Sequence, residues 1–213
     1  MRLAAAALVA LALVATAAAA GSSEPKKKII QAVQAQARAI NIHLSDLPPL
    51  GWKAKPSSSE SSIPLCSYYN PDQSDLTENG DATAPEFTLA SGSFVSSTTG
   101  IFVSAKQGRT AYARVVQPKL PLCLAEIFRK GTGVPTTIVS TARISFPNLA
   151  ERTDAFRIVA DVKAGSQTIR ATIDLVAMSR GKIEVALFFA GIGKPFGKAF
   201  ELGLARKVAA RIP

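Results

Sequence analysis

Near the start of the chain, Ile30, Val33, Ala37, Ile40 and Leu44 recur at three- and four-residue steps. That spacing sets them along one stripe of an amphipathic helix, which the stretch SDLPPLGW ends through Pro48 and Pro49. From Lys53 to Thr83 no period is sustained and Ser, Pro, Asn and Asp dominate, so a long loop is expected there. Alternation of β-branched and aromatic residues begins in EFTLA and SFVSSTTGIFVSA, either side of a turn-like Ser91-Gly92-Ser93. A second helical stripe, Tyr112, Val116, Leu120, Leu124 and Ile127, runs from about Gln107 to Lys130. Pro118 and Pro121 lie within it and predict a kink or two separate pieces.

The last third alternates most regularly. Phe156, Ile158, Ala160 and Val162 share one face of a strand, and Ile169, Ala171, Ile173, Leu175 and Ala177 one face of the next. A two-residue turn at Gly165-Ser166 sets Asp161 opposite Arg170, Arg157 opposite Asp174, Ile158 opposite Ile173 and Phe156 opposite Leu175. Charge meets opposite charge and apolar meets apolar, the signature of a correctly registered hairpin. A three-residue loop, Ser179-Arg180-Gly181, would align Ile183, Val185, Leu187 and Phe189 with the same apolar face. TTIVSTARISF adds a strand before this meander. A final helix from about Pro195 to Ile212 carries Phe196, Phe200, Leu204, Val208 and Ile212. The expected architecture is α+β, in the order α-β-β-α-β-β-β-β-α, with one mostly antiparallel sheet of about six strands flanked by helices.

The join VALFFAGIGKPFGKAF imitates a nucleotide-binding turn. A dinucleotide fingerprint needs a βαβ unit, with an acidic residue on the second strand, and here an antiparallel strand precedes the last helix. A Walker loop fails too, because Gly193-Lys194 is followed by Pro195. The glycines are expected to turn the chain off its last strand, with Pro195 opening the helix.

MRLAAAALVALALVATAAAA has the form of a secretory leader: Arg2, a short apolar run, then Ala18-Ala19-Ala20. Cleavage is expected before Gly21, giving a signal peptide over residues 1–20, a lead and helix over 21–43 and one domain over 44–213. The mature protein is then secreted or extracytoplasmic, without a further transmembrane span. Losing Arg2 leaves 24 basic against 15 acidic residues, a balance of +9. Those cations are scattered and no basic stripe carries interleaved aromatics, so no nucleic-acid partner is expected.

In an exported chain, Cys66 and Cys123 read as one disulfide. No metal and no cofactor is expected, since two thiols and the single His43 fall short of a ligand set. Asp75, Thr77, Asn79, Gly80 and Glu86 approach the spacing of a calcium loop, but no flanking helices are available, and a solvated acidic loop is the expectation. His43 is placed at the end of the first helix, where it interacts with the helix terminus. Asp161, Asp174 and Glu184 are placed on the polar sheet face as a charge ladder. No nucleophile–base set is in evidence, so no catalytic residue is assigned and the protein is expected not to be an enzyme.

DLPPLGW after an N-terminal helix, one Cys in the next loop and one in the central helix, and the series FRIVADV…RATIDLVAMSRGKIEVALFFAGIGKPF closing on ARKVAARI carry a resemblance. Over roughly residues 44–213 the chain resembles exported bacterial proteins with a PsbP-like α/β/α fold. That group includes small lipoproteins and the extracellular sensor domain of a receptor Ser/Thr kinase. The chain departs from it in lacking a lipid-attachment Cys, and in Leu50, which interrupts the Pro-Gly-Trp run. The resemblance implies a non-enzymatic, extracytoplasmic binding or sensing domain and carries over no ligand and no site residue; separately, a monomer with an unidentified protein or envelope ligand is expected. Val159, Val176, Met178 and Phe188, with Val139, form the candidate interaction surface on the second sheet face, unless the N-terminal helix covers it. The alternatives are a carboxylate-based hydrolase of envelope substrates and an electrostatic binder of anionic wall polymer.

Overall fold

The computed structural model describes residues 23–56 and 65–213. The leader expected over residues 1–20 and its cleavage point before Gly21 lie outside the described residues. Among these, nine strands form one open sheet: β1 Lys26–Lys27, β2 Lys53–Lys55, β3 Thr77–Thr83, β4 Glu86–Thr88, β5 Phe94–Phe102, β6 Thr136–Ile144, β7 Arg152–Ala164, β8 Gln167–Arg180 and β9 Ile183–Ile192. Four α-helices accompany them: α1 Gln31–Ile40, α2 Ala105–Val115, α3 Leu120–Gly131 and α4 Lys198–Ala209. The sheet order is β1-β3-β5-β9-β8-β7-β6, with β4 beside β5 and β2 beside β4. Every pairing is antiparallel except β1 with β3. The class is therefore mixed α+β, with a sheet larger than the six strands expected.

The added strands fall where the sequence reads as lead and long loop. β3, Thr77–Thr83, carries the polar sequence TENGDAT, so no alternation announces it. It pairs because α1 lies directly on it: a Cβ on Gly80 would come within 2.8 Å of the Val33 and Gln34 backbone. Gln34 Oε1 also accepts the Asp81 N–H at 2.9 Å. Neither a calcium loop nor a solvated acidic loop exists here, since Thr77, Asn79 and Gly80 are spent in this strand and Glu86 begins β4. Pro118 does divide the central helical stripe: α2 ends at Val115, and α3 begins at Leu120 with Pro121 in its first turn, where a missing N–H is harmless.

The β7–β8 hairpin has the expected register. Asp161 faces Arg170, Arg157 faces Asp174 and Phe156 faces Leu175. The next turn does not follow expectation. β8 and β9 are joined by Gly181-Lys182 alone, with Gly181 at φ +56°. Leu187 therefore stands opposite Val176, Val185 opposite Met178 and Phe189 opposite Asp174. Ile183, Val185, Leu187 and Phe189 thus occupy the face away from Leu175, one residue out of the expected register, and every side chain of β9 changes face.

As a result the middle of the sheet is apolar on both sides. On one face, Val176, Met178, Val185, Leu187, Phe189, Val95 and Ile101 pack with Ala37 and Ile40 of α1 and Leu204, Ala205 and Val208 of α4. On the other, Phe156, Leu175 and half-buried Phe188 pack with Leu120 and Cys123 of α3. The chain leaves β9 through Gly191 and Gly193. A Cβ on Gly191 would overlap the Lys194 carbonyl oxygen, and Gly193 sits at φ +76°. This is a tight corner with its own need for glycine. The last helix starts at Lys198, three residues after Pro195.

One buried polar hub joins α1 to the sheet. Asn41 Nδ2 donates to Ala82 O at 3.0 Å, and its Oδ1 accepts from Ser97 Oγ at 3.0 Å and Thr99 Oγ1 at 2.8 Å. The disulfide Cys66–Cys123 spans a separation of 57 residues and ties the segment before β3 to α3. Closing a loop of that length removes denatured-state entropy worth about 4 kcal/mol at 25 °C. A Cys66→Ser/Cys123→Ser double variant is expected to lose about that much unfolding free energy, read from urea denaturation against the oxidised wild type.

Candidate functional site

β6 and β1 close the sheet at opposite ends, and they are built differently. β1 is only two lysines long, a short charged edge that resists further pairing. β6 runs nine residues, TTIVSTARI, without Lys or Pro, and most of it is exposed or half-exposed. Its outer row of backbone donors and acceptors faces away from β7. The ladder is interrupted by a bulge between Ile138 and Ser140, and Val139 there is 48 % exposed.

Beside this edge lies a shallow groove of 480 Å³ between α3 and β6. Leu122, Ala125, Glu126 and Arg129 form one wall, Ile138, Ser140 and Thr141 the other, and Tyr68 stands at the rim. Several contacts position these residues. The disulfide ties residue 66 to α3, Cys66 and Tyr69 form a backbone bridge, and Tyr69 Oη donates to Val115 O at 2.5 Å. Tyr68, between the two anchors, is turned outward at the rim of the groove, near Glu126. Lys130 first, then Tyr68, holds the Glu126 carboxyl below its ordinary value. Leu122 is 49 % exposed, off the apolar stripe that seats α3. The groove thus offers apolar floor, aromatic rim, hydroxyls and one cation beside an unpaired strand edge.

A second groove, of 320 Å³, separates the 3-10 turn Leu44–Asp46 from α4. Lys207 Nζ donates to Asp46 O at 2.6 Å, and Arg211 pairs with the Asp46 carboxylate, so this cleft is bridged by a cation of α4 and one just beyond its end. His43 caps the same turn, and its Nε2 lies 3.1 Å from Ala39 O at the end of α1.

Two groups of acids sit within the fold. Asp174 is held by Arg157 through both oxygens, at 2.7 and 2.6 Å, and lies against Glu201 of α4. On the opposite face, burial first and repulsion from Asp81 next push the Glu78 carboxyl up to about 7, despite Lys27. Burial and then Glu78 raise Glu184 well above its ordinary value, and Glu184 Oε1 is sealed without a partner. Tyr112 Oη, nearby, donates to Asp154 Oδ2 at 2.8 Å and Ala177 O at 3.2 Å. Asp174 and Glu184 are therefore on different faces, a correction to the single polar ladder, caused by the shift of β9. Asp161 remains as expected, paired with Arg170 at 2.9 Å in the open. None of Asp174, Glu201, Glu78 and Glu184 lines either groove.

The candidate surface does not assemble. Val176 and Met178 are completely buried beneath α1 and α4. Phe188 lies on the other face against α3, for the register reason above. Val159 is half-buried next to Ser140 of β6, and of the group only Val139 is well exposed. Tyr68, Leu122 and Arg129, which line the groove, escaped sequence reasoning. The available signal was that Tyr68 and Leu122 flank the two cysteines and that Leu122 and Arg129 fall off the apolar stripe of the second helical piece.

Among the described residues no helix is long and apolar enough to cross a membrane, and no group of His, Cys, Asp and Glu is arranged to hold a metal ion. No protein-family model matches the chain, and no curated protein sequence matches it. Among solved structures, it is similar to the crystal structure of the extracellular domain of PknH from Mycobacterium tuberculosis. The similarity has a TM-score of 0.43 at 10 % sequence identity, over 84 % of this chain and 95 % of that one.

Tyr112→Phe removes a donor from Asp154 and from the Ala177 carbonyl without leaving space. It is expected to cost about 1 kcal/mol of unfolding free energy, since Asp154 keeps Arg143. Denaturant titration against wild type measures it.

Proposed function

We propose that this protein is an extracytoplasmic, non-catalytic binding domain that accepts an extended peptide strand along β6. The observation that carries the reading is the long unpaired edge Thr136–Ile144 running beside the α3–β6 groove. Strand addition uses the backbone of such an edge for affinity, and pockets for alternate side chains for selectivity. Here Leu122, Ala125 and Ile138 would receive an apolar side chain, and Arg129, which lines the same groove, an acidic one. The bulge at Val139 limits indiscriminate pairing along the edge.

Location outside the cytoplasm rests on the leader-like first twenty residues and on the Cys66–Cys123 disulfide, which persists in oxidising compartments. The resemblance to exported PsbP-like sensor and lipoprotein domains supports a binding role of the same kind. The reading without catalysis is supported by the way the acids are used. A carboxylate-based hydrolase needs two acids facing its substrate, whereas Asp174 is gripped by Arg157 beneath a helix.

Immobilised wild-type protein is expected to retain a partner from the exported fraction that Leu122→Glu retains about tenfold less, with unchanged circular dichroism. The retained partner is expected to slow amide exchange in β6. Equal retention by the two proteins, or protection confined to other strands, would remove the site from this edge.

A further inference from the structure

α4 is fastened to the sheet in two different ways. Its C-terminal half is apolar, with Leu204, Ala205, Val208 and Ala209 buried in the core. Its first turn instead buries a carboxyl group. Glu201 is 2 % exposed, and Asp174 of β8, the nearest acid acting on it, is 1 % exposed. Asp174 is close enough to raise the Glu201 carboxyl, and two acids buried side by side with one guanidinium keep a proton on one of them, because a second buried carboxylate would have no counter-charge of its own. Arg157 of β7 meets both Asp174 oxygens, Nε to Oδ1 at 2.7 Å and Nη2 to Oδ2 at 2.6 Å. That fork is the geometry of a guanidinium on an ionised carboxylate, so the shared proton belongs to Glu201. The count closes at zero: one cation, one anion and one neutral acid. Glu201 Oε1 is sealed from solvent with no hydrogen-bond partner among the described residues, so a negative charge there would meet only Arg157, which Asp174 already engages through both oxygens.

The same turn anchors an aromatic cluster. Phe200, one residue before Glu201, stacks with Trp52 at 6.0 Å and with Phe196 at 5.1 Å, and meets Phe189 edge-on at 6.3 Å. Trp52 also stacks with Phe196 at 6.1 Å. Any displacement of the first turn of α4 must separate these rings.

We propose that Glu201 and Asp174 form a proton-operated latch: with one proton between them the first turn of α4 is held on the sheet, and loss of that proton releases the turn and opens the Trp52–Phe196–Phe200 stack. The charged groups that reach Glu201 are Asp174 from β8 and Arg157 from β7. Burial, then contact with Asp174, raises the Glu201 carboxyl from 4.5 to about 8, and Arg157 opposes the shift. An acid raised on folding means that the folded state binds the extra proton. Stability therefore falls as pH rises from the unfolded value toward about 8, and levels off above it.

Trp52 is the single tryptophan, so its fluorescence reports the stack directly. In the wild-type protein its emission is expected to change with a midpoint near pH 8, with protection from amide exchange lost at the start of α4 over the same range. Glu201→Gln keeps a hydrogen-bond donor for Asp174 and cannot ionise. It is expected to abolish the fluorescence transition and to raise the melting temperature more at pH 8.5 than at pH 5.5. Asp174→Asn leaves Arg157 to face Glu201 and is expected to move the midpoint at least about one pH unit toward acid, a tenfold change in proton affinity. Glu78→Gln and Glu184→Gln, on the opposite face, are expected to leave the Trp52 transition in place. A transition that persists in Glu201→Gln, or a wild-type emission flat from pH 6 to 10, would overturn the latch.

Discussion

A sheet that is apolar on both faces must be covered on both, and in this protein that demand comes from one turn. Because only Gly181 and Lys182 separate β8 from β9, Leu187 backs onto Val176 and not onto Leu175. The four large apolar residues of β9 then need a cover of their own, which α1 and α4 supply, while α3 serves Phe156 and Leu175. Burying this much apolar surface on each side, at about 25 cal/mol per Å², is what holds the layers together. The layers also determine where the protein can meet something else. Helical cover is fullest over the C-terminal half of β8 and over β9 and thins toward β6, so the accessible groove arises at that edge.

What the sequence reveals follows from how local each determinant is. The β7–β8 register is legible because its charged pairs lie close in sequence and check one another, Asp161 with Arg170 and Arg157 with Asp174. The β8–β9 register is misread because aligning all apolar residues on one face assumes a sheet with one wet side. β8 has none in its C-terminal half, where residues 174 to 179 are all buried, Asp174 among them. β3 is illegible for a different reason. Its residues are polar, and its pairing depends on Gly80 letting the backbone of α1 approach, a tertiary fact. The groove is equally hidden, since Tyr68, Leu122 and Ile138 come together only through the fold, with the disulfide holding Tyr68 in place.

Two carboxylates of one face of β7–β8 show how far environment outweighs pairing. Asp161 and Asp174 each meet an arginine in a forked contact. The Asp161–Arg170 pair stands in water, where its contribution is small. Asp174 is sealed beneath α4, and there the same chemistry obliges a neighbouring acid to hold a proton. Sequence places both in a ladder, and only the helix laid over one of them gives it a different role.

The connectivity of the sheet joins segments made far apart along the chain. β1 lies beside β3, and β5, near the middle of the sheet, pairs on one side with β3 and β4 and on its other side with β9, where Phe94 stands opposite Ala190. Loop closure of that length must precede any reward from contacts, which makes such topologies slow to form. The amino-terminal half cannot complete its sheet while the last quarter of the polypeptide is still missing. A nascent chain wired in this way therefore keeps one side of β5 open until β9 has been made.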